Sequence, residues 1–158
     1  LHYPLRRQRQ MCIRDSDASG QPFDFSFFER EAFVYDTEPA SRAVVVFRRQ
    51  GMTSGLAALA RIQRAFYAEN RDVTAADVLT GLATDLGMDE LGFRTLFNEA
   101  AVAEETMQDF ALAQQAGIRG FPTLIAGTGD RRGYALVTNG FQPADRLIPA
   151  LTAWLEKL

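Results

Sequence analysis

The stretch Gly117-Ile118-Arg119-Gly120-Phe121-Pro122-Thr123-Leu124-Ile125 constrains the fold of this chain more than any other. A proline stands between a glycine-punctuated loop and a β-branched apolar run, so it can begin a strand but cannot donate to a central ladder. Before it, Gly117 occupies the position of a glycine just past a helix end, with Ile118 able to make the hydrophobic contact of a Schellman motif. After it, Phe121 to Ala126 reads as a strand, Gly127 to Gly133 as a Gly/Asp-rich turn, and Tyr134 to Thr138 as a second strand ended by Asn139-Gly140. The stretch therefore joins a helix to a β-hairpin. Read on its own, Pro122 is a trans strand-starter.

Helical signals fill the chain between residue 36 and that loop. Asp36 or Thr37 can cap a helix that has Pro39 in its early turn and runs through Val44, Val45, Val46 and Phe47 to Gly51. Leu56, Leu59, Ile62 and Phe66 form a second helical stripe ending near Asn70. Thr74-Ala75-Ala76-Asp77 resembles a capping box ahead of Val78, Leu79, Leu82 and Leu86, and Gly87 stops that helix. Asp89 can cap a fourth helix carrying Leu91, Leu96 and Phe97. A fifth runs from about Val102 through Thr106, Phe110 and Ala113 to Gln115. Upstream, Pro22-Phe23-Asp24-Phe25-Ser26-Phe27-Phe28 alternates aromatic and polar residues, the pattern of a half-buried extended segment whose rings line a core or, alternatively, a recognition groove. After the hairpin, Pro143 to Leu158 presents Leu147, Ile148, Leu151, Trp154 and Leu155 on one helical face. Pro149 either kinks that helix or marks its true first turn.

The 158 residues suffice for a sizeable core, and 47% hydrophobic with 23% charged residues is a globular balance. No apolar run approaches the length of a membrane span. Residues 1–16 read differently from the rest. They hold four Arg against one Asp, leaving 13 basic and 19 acidic side chains beyond them, a net charge of −6. They lack helical or strand periodicity, and Arg9-Gln10-Met11-Cys12-Ile13-Arg14-Asp15-Ser16 resembles translated sequencing-adapter read-through, so the segment is expected to be non-native or unstructured. A basic arm for nucleic acid is the other reading, and the acidic remainder argues against it. The chain's one Cys, Cys12, and one His, His2, both lie in this segment. Residues 17–158 accordingly offer no Cys/His pair, no Ser/His/Asp triad and no Cys- or His-ligated zinc.

Four separated phrases occur in an order that carries a resemblance: Pro22-Phe23-Asp24-Phe25, Phe33-Val34-Tyr35-Asp36-Thr37-Glu38-Pro39-Ala40, Arg64-Ala65-Phe66-Tyr67 and Gly120-Phe121-Pro122-Thr123-Leu124. Together they resemble the DsbA-like thioredoxin-fold family in its bacterial cytosolic FrnE-like branch, from about Gly20 to Leu158. The resemblance implies an α/β fold, mostly helical here, with an extended segment over 17–35, a helical insertion domain over 36–116 and the C-terminal β-β-α half over 117–158. It implies a cis Phe121-Pro122 bond, with Gly120, Phe121, Pro122 and Thr123 as the substrate-binding loop, where an extended chain can pair by strand addition. It implies partners that are protein or peptide thiols and disulfides, with glutathione as a further one, no cofactor, no metal, no nucleic acid and a cytoplasmic location.

One departure from the family governs the functional expectation. Its chemistry needs a Cys-x-x-Cys at the N-terminus of the first helix, where the helix end lowers the pKa of the leading thiol. This sequence has none, so no catalytic residue is assigned. The expectation is a truncated oxidoreductase or isomerase, inactive as it stands, with the first β-α-β half missing. An open hairpin edge would then leave it loosely packed or self-associating. Two alternatives stay open: a glutathione-dependent isomerase or transferase of the same fold, of the kappa-class or hydroxychromene-carboxylate isomerase kind, and a non-enzymatic helical binding module. Asp72, Asp77, Asp85 and Asp89 read as caps and solvated faces rather than ligands. Gly127-Thr128-Gly129 falls in a hairpin turn, unsuited to cradling phosphate. Met52, Met88 and Met107 read as core, and Glu29, Glu31 and Glu38 as surface. Phe66 and Phe110 are the aromatic candidates if the helical block lines a substrate groove.

Overall fold

The computed structural model describes residues 12–30, 33–127 and 134–157. Its contacts divide the chain into two compact units, one up to Gln108 and the other from Asp109. The division falls inside a helix. Residues 12–19 are helical (α1), followed by a 3₁₀ turn over Phe25–Glu29. Five helices come next: α2 (Glu38–Arg48), α3 (Met52–Tyr67), α4 (Ala76–Asp85), α5 (Glu90–Phe97) and α6 (Ala100–Gln115). Strands β1 (Thr123–Ala126) and β2 (Ala135–Asn139) precede α7 (Ala144–Leu155).

The first unit is built on the α2–α3 hairpin, with α4 and α5 packed against it. α2 begins where the Asp36 carboxylate accepts the Glu38 N–H at 2.9 Å, whereas Thr37 makes no side-chain cap. Pro39 sits in the first turn, where its missing N–H costs nothing. Val45, Val46 and Phe47 are buried within this helix. On α3 the buried face is Gly55, Ala58, Ile62, Ala65 and Phe66, while Leu56 and Leu59 are 58% and 40% exposed. The expected stripe is thus rotated. The cause is a close approach: a Cβ at Gly55 would lie 3.1 Å from Arg48 Cα, so the small residues take the α2 side and the leucines turn outward.

The buried face also differs from the expected one on α5, where Phe93 and Phe97 fill the core and Leu91 is 74% exposed. Asp89 does cap α5, accepting the Gly92 N–H at 2.8 Å. The capping box at Thr74 does not form. Asp72 instead accepts both the Thr74 N–H and its hydroxyl in a local turn, and α4 starts at Ala76 without a side-chain cap. Asp77 is freed to meet Arg94 of α5 at 2.8 Å, and Asp85 meets Arg61 at 3.0 Å. Gly87 ends α4 at φ +84, a conformation that glycine adopts without a Cβ penalty.

The aromatic segment is not extended as the alternation predicts. Asp24 accepts the Ser26 N–H and hydroxyl, which folds residues 25–29 into the 3₁₀ turn. Phe27 is buried, with its ring 4.8 Å from Phe66 and 4.9 Å from Phe33, both at steep angles. Arg30 lies over the Phe27 ring and donates to the Asn70 carbonyl. Helix α1 likewise departs from the unpatterned reading of its residues. Ser19 donates to the Asp15 carbonyl at 2.5 Å, and the Gly20 N–H donates to Ser16 at 2.8 Å, closing the helix. Cys12 is buried. Met52 and Met107 are exposed at 63% and 51%, unlike the core positions expected of them, and Met88 packs on the core edge.

The first unit also holds the N-terminal half of α6. Val102 and Thr106 are fully buried, and Glu105 pairs with Arg48 at 2.5 Å and Arg49 at 2.9 Å. These ties explain why the unit boundary falls within α6. In the second unit, β1 and β2 pair antiparallel from Thr123↔Asn139 to Ala126↔Ala135, with an irregularity between Leu124 and Ile125. α7 packs on β2 and contains Pro149 in its interior, so that proline does not open the helix. The expected turn over 127–133 lies, beyond Gly127, outside the described residues, as does Glu31.

Candidate functional site

The site begins at the end of α6. The Gly117 N–H donates to the Gln114 carbonyl at 3.0 Å and the Ile118 N–H to Ala113 at 3.1 Å, the two bonds of a Schellman motif, with Gly117 at φ +72. This stop turns the chain into Arg119-Gly120-Phe121-Pro122. The Phe121–Pro122 peptide bond is cis. Two hydrogen bonds hold the loop at the head of the hairpin: the Thr123 hydroxyl donates to the Gly120 carbonyl at 2.6 Å, and the Gly140 N–H donates to the Pro122 carbonyl at 2.8 Å. Phe121 is 90% exposed, far beyond what an aromatic ring ordinarily shows.

Gly120, Phe121, Pro122 and Thr123 are contiguous and sit together at this turn. Beside them is a concavity lined by the loop from Ala116 to Gly120, by Thr123 and Ile125 of β1, and by Tyr134, Leu136 and Asn139 across the hairpin. Arg119, Tyr134 and Asn139 were not singled out by the sequence. Arg119 lies inside the motif and its charge was visible. Tyr134 and Asn139 reach the site only through the strand register, which no local pattern reveals. β1 pairs on one side with β2, and among the described residues its other edge has no strand.

Cys12 does not belong to this loop. It lies in the first unit, lining a small cleft with Asp15, Phe23, Tyr35 and Tyr67. Burial pushes its thiol pKa up, and the neighbouring Asp15 charge pushes it further. The Tyr67 hydroxyl is raised as well, first by burial and then by Tyr35 and the acidic groups beside it. Phe66 is 7% exposed within the core and reaches the wall of that same cleft; Phe110 is half-buried on the second unit's share of α6. Among the described residues no cluster of His, Cys, Asp or Glu could hold a metal ion.

The chain matches the profile of the DSBA-like thioredoxin domain over residues 11–151. Its fold is similar to that of a candidate protein disulfide isomerase from Nitrosomonas europaea, at 37% identity and TM-score 0.83, covering 90% of this chain and 69% of that one. It is also similar to the cytosolic disulfide reductase DsbM from Pseudomonas aeruginosa, at 29% identity and TM-score 0.77, covering 92% and 74%. A glutathione complex of DsbM matches at 26% identity and TM-score 0.73, covering 91% and 73%. With that profile and the helical block, hairpin and closing helix in family order, the chain belongs to the DsbA-like thioredoxin family.

Proposed function

We propose that this chain carries the substrate-docking part of a thiol–disulfide oxidoreductase or isomerase, with Gly120, Phe121, Pro122 and Thr123 receiving an extended protein or peptide segment. The carrying observation is the 90% exposure of Phe121 at the head of β1, a strand with one edge unused among the described residues. Backbone pairing along such an edge supplies affinity that does not depend on sequence, and an exposed ring beside it supplies an apolar anchor. The disulfide-active relatives support thiol- and disulfide-bearing proteins as the substrate class. The glutathione complex of one relative supports glutathione as a second thiol partner, and its cytosolic description supports a cytoplasmic location.

The chain's single cysteine cannot form and resolve a mixed disulfide by itself, since exchange through an enzyme dithiol needs two thiols. Reduction of a protein disulfide by the purified chain should accordingly not exceed the rate of the added small-molecule reductant. The edge that takes substrate also offers itself to a second copy, so self-association should rise with concentration.

The test is a titration of isotope-labelled chain with an extended peptide whose Cys is replaced by Ser. Amide shifts should concentrate on Gly120, Phe121 and Thr123–Ile125, and Phe121→Asp should abolish them while leaving the helical circular dichroism unchanged. Shifts spread evenly over the first unit, or none at millimolar peptide, would reject the reading.

A further inference from the structure

The concavity beside the docking loop has a charge character that the four loop residues do not supply. Its apolar wall comes from Ile118, Ile125 and Leu136, and Thr123, Tyr134 and Asn139 add hydrogen-bonding groups. Among the described residues, Arg119 is the one charged side chain lining it. Arg119 is exposed and makes no ion pair among the described residues, although most arginines of the first unit are paired with carboxylates. An arginine lining such a concavity, paired with no carboxylate among the described residues, is open to a planar anion. It can hold a carboxylate through two parallel N–H donors.

We propose that Arg119 is a specificity-determining residue which selects peptides bearing a carboxylate next to the segment docked on Gly120–Thr123. The proposal rests on the docking reading above. Gly120 and Thr123 belong both to the docking loop and to the concavity wall, so a chain paired along that backbone passes Arg119. An acidic side chain, or a terminal carboxylate, within a residue or two of the docked cysteine is the group that meets it. A lysine there meets like charge and is disfavoured. Because Arg119 is solvent-accessible, the preference is modest and weakens with salt.

Three peptides of one extended sequence, with Ser for Cys and with Glu, Gln or Lys as the next residue, test this against the intact chain by amide-shift titration. The Glu peptide should bind roughly fivefold more tightly than the Gln peptide at low salt, as expected for one exposed ion pair, and the Lys peptide most weakly. Arg119→Gln should equalise Glu and Gln, Arg119→Glu should invert the order, and Arg119→Lys should retain part of the preference. Trp154 fluorescence and helical circular dichroism verify that each variant is folded. Equal binding of the Glu and Gln peptides at the loop overturns charge selection and leaves the docking reading intact. Failure of all three peptides to shift the loop amides overturns both.

Discussion

Phe93→Ala should remove about 3–5 kcal/mol of stability from the first unit. Phe93 is 0% exposed, stacks on Phe97 at 5.3 Å between ring centroids and lies 6.3 Å from the Phe47 ring of α2. An aromatic side chain buries roughly 150–250 Å², which at about 25 cal/mol per Å² gives ~4–6 kcal/mol as an upper bound before relaxation around the cavity. Since domains of this size are stable by about 5–15 kcal/mol, the loss is a large fraction of the total. Phe93→Leu keeps most of the volume and should cost only about 1–1.5 kcal/mol. Urea unfolding gives the measurement with two probes, because helical circular dichroism is dominated by the first unit while the chain's one tryptophan, Trp154, sits on α7 of the second. The dichroism midpoint should fall steeply for Ala and slightly for Leu. Equal losses for the two variants, or a loss under about 1 kcal/mol for Ala, would refute the claim that Phe93 fills the junction of α2 and α5.

Two further outcomes follow from the packing and the ion pairs. Gly55→Leu should destabilise the first unit by about 1–3 kcal/mol through overpacking against Arg48, and Gly81→Ala, where the nearest atom is at 3.5 Å, should be neutral or stabilising by up to about 1 kcal/mol, both read from thermal midpoints. Glu105 is held below its ordinary value of 4.5 by hydrogen bonds from Arg48 and Arg49. A depressed carboxylate contributes stability that is present above its unfolded pKa and lost as pH falls through the folded one. Native chain and Glu105→Gln should therefore differ by about 1 kcal/mol near neutrality and converge as the pH falls below 4.5 and through the depressed folded pKa, and a difference that persists in strong acid would contradict the pairing.

Element type was more legible in the sequence than element facing. The Val44-Val45-Val46-Phe47 run, the Asp89 cap and the Gly117 stop are set by local chemistry, and each is found in place. Which side of α3 is buried depends on how closely α2 approaches, a tertiary distance that the leucine pattern does not encode. The alternating aromatics from Phe23 to Phe28 likewise fit two geometries, and the Asp24 side chain decided for the 3₁₀ turn by bonding to the backbone two residues on. At the candidate site the contiguous residues were readable, because Gly-Phe-Pro-Thr is a local motif. The wall from β2 was not, since Tyr134, Leu136 and Asn139 arrive through pairing register.

Cys12 is where sequence and structure bear most directly on chemistry. A thiol serves exchange as its thiolate, and an enzyme's leading cysteine is accordingly exposed and held at low pKa. Cys12 has the opposite setting: it is 8% exposed, and both burial and Asp15 raise its pKa. Asp15→Asn should lower that pKa somewhat without exposing the sulfur, because burial is the larger cause. Reaction with an aromatic disulfide reagent at pH 7 should thus be at least about tenfold slower in the folded chain than in urea, and only slightly faster in Asp15→Asn. Labelling at the rate of free cysteine would mean that the thiol is accessible, and would make Cys12 a candidate nucleophile. If labelling is slow, exchange on the proposed docking loop would draw its thiols from the substrate and from a source other than Cys12.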